Sequence, residues 1–377
     1  MTFTALAVIC VVGLAGPLLA LPRGWHLPVV LGELLAGIAL GRTGTGYLHP
    51  GDPTFAFLAD AGFALVMFVA GSKVPVLDPR LRSALKIGLG RALAVGAAAA
   101  VIGVVISHGF GIGHAPMYAV LMASSSAALV LPVVDSLHLS GEGILQLLPQ
   151  VAIADAACII ALPLAINPSK AARTGLGALA VLATAAALFV VLRYLEQHGY
   201  RHRVRKLSEE RKFALELRIS LIILCALAAL ATRTHVSIML AGFSFGLAVA
   251  GIGDPRRLAR QLFALTEGFL GPLFFVWVGA SLNLRDLSHH PKYILLGVVL
   301  GAGAILAHTV MRLFGQPVSL GMLAAAQLGV PVAAVTVGGS LGLLRPGEPA
   351  ALILGALLTT VLATVAGSMR ARMTATT

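Results

Sequence analysis

Residues 144–166 read ILQLLPQVAIADAACIIALPLAI, a run of 23 residues whose only charged member is Asp155. A helix needs about 20 apolar residues to span the hydrocarbon core of a bilayer. Asp155 lies eleven residues from either end of the run, near the predicted midplane of the membrane. A charge at that depth costs roughly 2.5–3.5 kcal/mol on insertion scales, and such residues mark ion and proton pathways. The run therefore predicts a membrane helix whose carboxylate binds a proton or a metal cation; the alternative is a structural, hydrogen-bonded aspartate.

The composition of the whole chain extends this prediction. Of its 377 residues, 58% are hydrophobic and 11% are charged, whereas soluble proteins carry about 25% charged residues. A soluble enzyme is thereby excluded, and we predict an all-α polytopic membrane protein with thirteen spans. The spans are placed at about 3–20, 28–40, 54–72, 87–106, 116–134, 144–166, 174–193, 217–232, 236–252, 262–281, 294–312, 318–342 and 349–368.

Charge placement predicts the orientation in the cell membrane. With the basic segment 193–218 in the cytoplasm, 19 Lys and Arg residues fall on that side and 7 on the other. This bias is the one that the positive-inside rule describes, and it places the N-terminus outside and the C-terminus in the cytoplasm. The net charge of +12 comes from residues between apolar segments, which favours contacts with lipid headgroups over nucleic acid.

Two short motifs recur in the same order. Residues 35–41 (LAGIALG) resemble residues 240–246 (LAGFSFG) at an offset of 205, and residues 68–72 (FVAGS) resemble residues 277–281 (WVGAS) at an offset of 209. The paired spans are seven apart and run in opposite directions, as in the inverted repeats of secondary transporters. The alternative is a chance likeness between helices rich in Gly and Ala. The repeat predicts a single transporter domain, 1–377, divided into repeat one (about 1–170), a linking helix (about 174–193), a basic cytoplasmic loop (about 194–216) and repeat two (about 217–370).

Spans 5 and 12 are both interrupted in mid-run. Span 5 contains ASSSAALVLP at residues 123–132, and span 12 contains QLGVP at 327–331 followed by VGGS at 337–340. Broken membrane helices expose carbonyls and helix dipoles that can hold a cation, although Ser, Gly and Pro can also merely ease helix packing.

Oxygen donors near these interruptions are candidate ligands, because hard cations prefer oxygen. After Asp155, the candidates are Ser124, Ser125 and Ser126. His308, deep in span 11, is a candidate charge partner for Asp155 or an ordinary hydrogen-bond donor between helices. We find no nucleophile–base pair and no His/Cys cluster with metal-ligand spacing, so neither enzymatic activity nor a bound cofactor is predicted.

The order and spacing of five segments resemble those of the monovalent cation:proton antiporters, on the Kef and NapA branch of the sodium/hydrogen exchanger superfamily. The segments are VVLGELLAGIALG (29–41), LVMFVAG (65–71), SSSAALVLPV (124–133), residues 149–164 around Asp155, and LFFVWVGASLNL (273–284). The resemblance implies a homodimer in which a six-helix core domain moves like an elevator against a dimerisation domain.

The resemblance also implies the site. Two discontinuous helices cross beside an essential aspartate, which Asp155 matches, and spans 5 and 12 match the crossing pair. The second member of that pair contains Gln327, Gly329 and Pro331.

Two positions depart from the family pattern. Electrogenic relatives have two adjacent acids in the aspartate helix, but Ala154 occupies the first position here; relatives often have Lys where this chain has His308. One carboxylate can trade one proton for one cation. We therefore expect electroneutral exchange of Na⁺ or K⁺ for H⁺ at Asp155, in the service of pH homeostasis. A sodium-coupled organic-anion symporter of the same architecture and a non-transporting membrane sensor are the alternatives.

Overall fold

The computed structural model describes residues 1–21, 29–72, 79–167, 171–200, 211, 213–234, 236–253, 256–285 and 291–375. Throughout these ranges the regular structure is helical, without a strand. Much of the predicted basic loop at 194–216, including residues 201–210, lies outside the described residues. So do Arg23 and Lys73, which contribute to the predicted orientation.

Seventeen α-helices follow one another in the described residues. In chain order they are α1 (Phe3–Gly13), α2 (Ala15–Ala20), α3 (Val29–Leu40), α4 (Pro53–Ser72), α5 (Pro79–Phe110), α6 (Ala115–Ala123), α7 (Ala127–Ser136), α8 (Glu142–Ile166), α9 (Ala171–Gln197), α10 (Leu215–Arg233), α11 (Ile238–Ala250), α12 (Arg256–Leu265), α13 (Gly271–Ser281), α14 (Pro291–Thr309), α15 (Val318–Ala324), α16 (Gly329–Ser340) and α17 (Glu348–Ala375). A π-helical turn, Thr266–Leu270, joins α12 to α13, and a 3₁₀ turn, Val310–Phe314, follows α14.

The helices have the lengths that a bilayer requires. Ten helical segments of the described residues are long and apolar enough to cross a membrane, and α3 and α11 are shorter apolar helices. Three of the helices, α4, α5 and α14, begin with proline, which suits the first helical position because the N–H there has no intrahelical partner. The all-α polytopic class is thus confirmed, while the number of thirteen spans stays a prediction.

The chain divides into two compact units. The first comprises Gly51–Asp78 and Ser169–Phe274 together with Met1, and the second comprises Thr2–Pro50, Pro79–Pro168 and Phe275–Thr377. The first unit therefore contains α4 and α9 to α12, and the second contains α1 to α3, α5 to α8 and α14 to α17.

In the first unit, α4 and α11 pack closely through small residues. A Cβ added to Gly242 would meet the carbonyl of Ala64, and one added to Gly246 would meet the carbonyl of Phe68. Only glycine permits this approach of two backbones, as at many interfaces between membrane helices. The LAGFSFG segment of α11 therefore packs on the helix that carries the FVAGS segment.

In the second unit, α3 meets the end of α13 in the same way. A Cβ at Gly37 would meet the carbonyl of Val276, and one at Gly279 would meet the carbonyl of Leu34. The LAGIALG segment thus packs on the WVGAS segment. Both contacts therefore join the two predicted repeats: LAGIALG of repeat one packs on WVGAS of repeat two, and LAGFSFG of repeat two packs on FVAGS of repeat one.

The second unit also contains a bundle of six elements, four of which are single helices and two of which are pairs of helices separated by a break. They are α5, the α6–α7 pair, α8, α14, the α15–α16 pair and α17. α5 packs on α6, α8 and α14, while α17 packs on α14, α15 and α16. α8 contacts both discontinuous pairs. The bundle thereby brings the two interruptions of the chain towards α8 and α17.

Candidate functional site

The first interruption, residues 124–126, separates α6 from α7 and is called the first break below. At Ser124 the chain turns from helical to extended, with φ −70° and ψ 147°, and the Ser124 hydroxyl donates to the carbonyl of Leu121 at 2.8 Å. Serine hydroxyls compete in this way with the helix for backbone partners. The new helix begins at Ala127, so the chain is interrupted within the segment 123–132 that the sequence singles out.

The second interruption, residues 325–328, separates α15 from α16 and is called the second break. Leu328 has the non-helical angles φ −151° and ψ −53°, and α16 begins at Gly329. Pro331 is buried in the first turn of α16, where proline costs no intrahelical hydrogen bond. The predicted interruption at 327–331 is therefore seen, but the one at 337–340 is not, because α16 continues to Ser340.

Hydrogen bonds join the two breaks directly. The Ser126 N–H donates to the carbonyl of Ala326 at 2.7 Å, and the Ser125 hydroxyl donates to the carbonyl of Ala324 at 2.7 Å. All three serines of the first break are buried. The carbonyls that the end of α15 leaves without helical partners are thus bound by the first break.

Asp155 lies beside this junction, in the middle of α8. Its side chain is 7% exposed, and its Oδ2 accepts a hydrogen bond of 3.0 Å from the N–H of Ala127. Ala127 is the first residue of α7, where the helix dipole places a partial positive charge. Among the described residues this is the one hydrogen bond that the carboxylate receives, so its other lone pairs are open to a proton or a cation.

His308 lies on the other side of the first break and is 1% exposed. Its Nδ1 is 2.9 Å from the carbonyl of Ala304, and its Nε2 is 3.3 Å from the hydroxyl of Ser125. In the described part of the chain, His308 and Asp155 form no ion pair. The structure therefore places His308 as a neighbour of Ser125 and does not pair it directly with Asp155.

A glycine brings α15 against the helix of His308. A Cβ added to Gly321 would be 2.8 Å from the carbonyl oxygen of His308, closer than real side chains approach. This contact allows the carbonyl of Ala324, one turn further along α15, to reach Ser125.

The structure adds a residue that the sequence analysis did not single out. Thr360, on α17, is 3% exposed, and its hydroxyl is 3.2 Å from the carbonyl of Gln327 and 2.9 Å from that of Ala356. Gln327 itself is buried in the second break. The adjacent polar residues Thr359 and Thr360, in the middle of a largely apolar span, are the signal that could have pointed to it.

The site is thus a buried carboxylate beside hydroxyls and main-chain carbonyls at two helix ends. Among the described residues no group of three His, Cys, Asp or Glu could hold a metal ion in common. Oxygen donors of this kind suit a hard, weakly bound monovalent cation. The arrangement can hold such a cation or a proton, and the single open carboxylate makes the two compete.

A comparison with known protein families identifies the family of the chain. The sequence model of the transmembrane sodium/hydrogen exchanger family matches residues 5–370. The chain belongs to the sodium/hydrogen exchanger family. Its membership agrees with the resemblance that the sequence motifs indicate.

Relatives in this family carry names from both sodium and potassium transport. A putative Na⁺/H⁺ antiporter of Bacillus subtilis, YjbQ, is 24% identical over 381 residues, which cover 95% of this chain and 61% of that protein. A glutathione-regulated potassium-efflux system protein, KefC of an Enterobacter species, is 26% identical over 277 residues, covering 72% of this chain and 44% of KefC. The chain therefore spans less than two thirds of the length of either relative.

A solved structure has the same fold. The sodium proton antiporter MjNhaP1 from Methanocaldococcus jannaschii superposes with a TM-score of 0.69 at 16% sequence identity. The superposition covers 99% of this exchanger-family chain and 98% of MjNhaP1. The helical architecture is therefore that of MjNhaP1 over its whole length.

Proposed function

We propose that this exchanger-family protein exchanges a monovalent cation, Na⁺ or K⁺, for H⁺ across the cell membrane, and so contributes to pH homeostasis. Asp155 carries the exchange by binding the proton and the cation in turn. The observation that carries the proposal is the open coordination of this buried carboxylate, which the described residues bind through one main-chain N–H only. Family membership and the relatives named as antiporters support the reaction class.

Coupling follows from the cost of the empty site. A bare carboxylate in a low-dielectric interior is expensive, whereas the protonated and cation-bound forms are neutral. Only the two loaded forms therefore cross between the two faces, and each crossing carries one ion. Alternating access at Asp155 then couples the two gradients without a further cofactor.

The stoichiometry we propose is one cation for one proton. Ala154 precedes Asp155, so the aspartate helix carries one acid at this depth, and His308 contacts Ser125 instead of forming a second charged partner. One exchangeable charge per cycle makes the exchange electroneutral.

We also propose the transport architecture that the resemblance implies. Close glycine contacts join α3 to α13 and α4 to α11, so that each motif packs on a motif of the other repeat, and this supports a duplicated, inverted repeat. The bundle in the second unit supports a mobile core domain. The two breaks are then the crossing point of the discontinuous helices. The core moves like an elevator against a dimerisation domain in a homodimer, with the N-terminus outside and the C-terminus in the cytoplasm.

Flux in reconstituted vesicles tests the proposed reaction. Purified protein is placed in vesicles that trap a pH-sensitive dye, and Na⁺ or K⁺ is added outside. We expect the added cation to change the internal pH in the wild type and to have no effect with Asp155→Asn. If neither cation moves protons, exchange is refuted, and sodium-driven uptake of organic anions becomes the reaction to assay.

A second arm of the experiment tests the stoichiometry. With equal ion concentrations on both sides, an imposed membrane potential should drive no pH change through a one-for-one exchanger. A potential-driven pH change that is present in the wild type and lost in Asp155→Asn would contradict electroneutrality while leaving exchange itself intact.

A further inference from the structure

The second break is tied to α17 much as the first break is tied to α8. Asp155 accepts from the N–H of Ala127, at the start of α7. The Thr360 hydroxyl lies 3.2 Å from the carbonyl of Gln327, within the second break, and 2.9 Å from that of Ala356, so its single proton is shared between the two carbonyls. A bond of 2.7 Å between Ser126 N–H and the Ala326 carbonyl joins the two attachments. The contacts form a continuous path from α8 through both breaks to α17.

The sequence positions of the two attachments match the internal repeat. Asp155 and Thr360 are 205 residues apart, and the motifs at 35–41 and 240–246 are also offset by 205. Each residue lies on the helix that follows its discontinuous pair, Asp155 on α8 after α6–α7 and Thr360 on α17 after α15–α16. In the predicted repeat, Thr360 is therefore the counterpart of Asp155.

The two attachments differ in how they respond to an ion. A proton or a cation on Asp155 takes up a lone pair and weakens its attraction for the Ala127 N–H. The hydroxyl of Thr360 is neutral and does not titrate, so a proton on Asp155 leaves its bond to the Gln327 carbonyl unchanged. The first break thus responds to loading, while the second break is held in place.

We propose that Thr360 is a positioning residue: its hydroxyl holds the Gln327 carbonyl in the orientation in which the carbonyl oxygen is a ligand of the bound cation. The inference rests on the proposed exchange at Asp155. A carbonyl has two lone pairs, so one can accept from Thr360 while the other faces the cation. The proton binds the carboxylate alone and does not use this carbonyl. Removal of the Thr360 hydroxyl therefore weakens cation binding and leaves proton binding at Asp155 unchanged.

The change to make is Thr360→Val, which keeps the shape and removes the hydroxyl. Thr359 offers a matched control, because it is equally buried on the same helix and donates to Ala356 at 2.8 Å without reaching the break. We expect Thr360→Val to raise the KM for the cation about three- to tenfold, the effect of losing one ordinary hydrogen bond. The maximal rate of Thr360→Val per folded protein should stay near that of the wild type. The cation KM should be unchanged in Thr359→Val, which is the control, and in Thr360→Ser, which keeps the hydroxyl.

A binding measurement accompanies the flux assay. The cation concentration that gives half-maximal thermal stabilisation in detergent should shift by the same factor, and Thr360→Ala serves in both assays if the valine variant does not fold. A merely structural threonine would lower the melting temperature or the maximal rate with no change in cation KM, and that result overturns the inference. If the wild type exchanges ions and Thr360→Val has an unchanged cation KM, the role of Thr360 is refuted but the proposed function stands. If the wild type does not exchange ions, the proposed function is refuted as well.

Discussion

Two of the buried carboxylates in the second unit, those of Glu348 and Asp155, have opposite surroundings. Glu348, the first residue of α17, is 0% exposed, and three groups surround it: the Tyr118 hydroxyl at 2.6 Å, the Nδ1 of His114 at 2.7 Å and the Arg345 N–H at 2.9 Å. Asp155 is almost as buried, yet in the described part of the structure it accepts from one N–H.

This difference is the one we expect between a structural acid and the exchangeable acid that we propose Asp155 to be. Each hydrogen bond to a charged group contributes about 1.5–3 kcal/mol, and a carboxylate at a helix N-terminus gains further from the dipole. Glu348 is held in a fixed geometry between the start of α6 and the start of α17. Asp155 has one such partner among the described residues, the Ala127 N–H at the start of α7, so an incoming proton or cation competes with fewer hydrogen bonds.

The largest expected effect is on transport. Asp155→Asn should abolish exchange, because an amide neither carries a proton nor balances a cation, whereas Glu348→Gln should retain it. The measurement is cation-driven proton flux in vesicles, normalised to the amount of folded protein. The comparison fails if Glu348→Gln folds like the wild type but no longer exchanges ions, since Glu348 would then be part of the transport pathway.

For stability we expect the opposite order of effects, with Glu348→Gln more damaging than Asp155→Asn. Glu348→Gln replaces an acceptor by an amide whose NH₂ faces donors, and we expect it to lower the free energy of unfolding by on the order of 3 kcal/mol. Asp155→Asn should change it by less than about 1 kcal/mol, because the amide oxygen still accepts from Ala127. Thermal unfolding in detergent measures both. Glu142→Gln is the control, because Glu142 also begins a helix, α8, but is exposed.

Asp155 and Glu348 also show what the sequence can predict. The length of the apolar run around Asp155 places that residue at mid-membrane because the bilayer thickness sets the scale. Small polar residues in apolar spans predict both breaks, since Ser and Gly weaken a helix locally. These features are local in sequence. The structure shows interruptions at 124–126 and 325–328, but α16 remains helical at 337–340, and the depth of Asp155 in the membrane stays a prediction.

Partners across long separations could not be predicted. Ser126 bonds a main-chain carbonyl 200 residues away, at Ala326, and main-chain acceptors leave no trace in residue type. Glu348 looks like an ordinary acid at a span end, and only the packing of α6 on the bundle surrounds it with donors. The sequence left His308 as either a charge partner for Asp155 or a hydrogen-bond donor between helices, and only the position of α14 shows that its imidazole lies 3.3 Å from the Ser125 hydroxyl.

A smaller effect is expected when one donor is removed from Glu348. Tyr118→Phe keeps the ring and deletes a buried hydroxyl whose bond to Oε1 is 2.6 Å. We expect the free energy of unfolding to fall by about 1.5–2 kcal/mol, the lower part of the range for charged hydrogen bonds, with no change in cation KM. Tyr47→Phe, on an exposed side chain, should be neutral. A KM shift in Tyr118→Phe would show that the Glu348 cluster communicates with the site.

The smallest effect is expected at His114. Its side chain is 23% exposed whereas that of Glu348 is 0% exposed, so water competes with Glu348 for the imidazole. We expect His114→Ala to lower the free energy of unfolding by less than about 1 kcal/mol, as for other partly exposed pairs. Thermal unfolding at low and high salt separates the two contributions, since an ionic contribution shrinks as the Debye length falls. A loss larger than that of Tyr118→Phe would mean that the imidazole, and not the phenol, fixes Glu348.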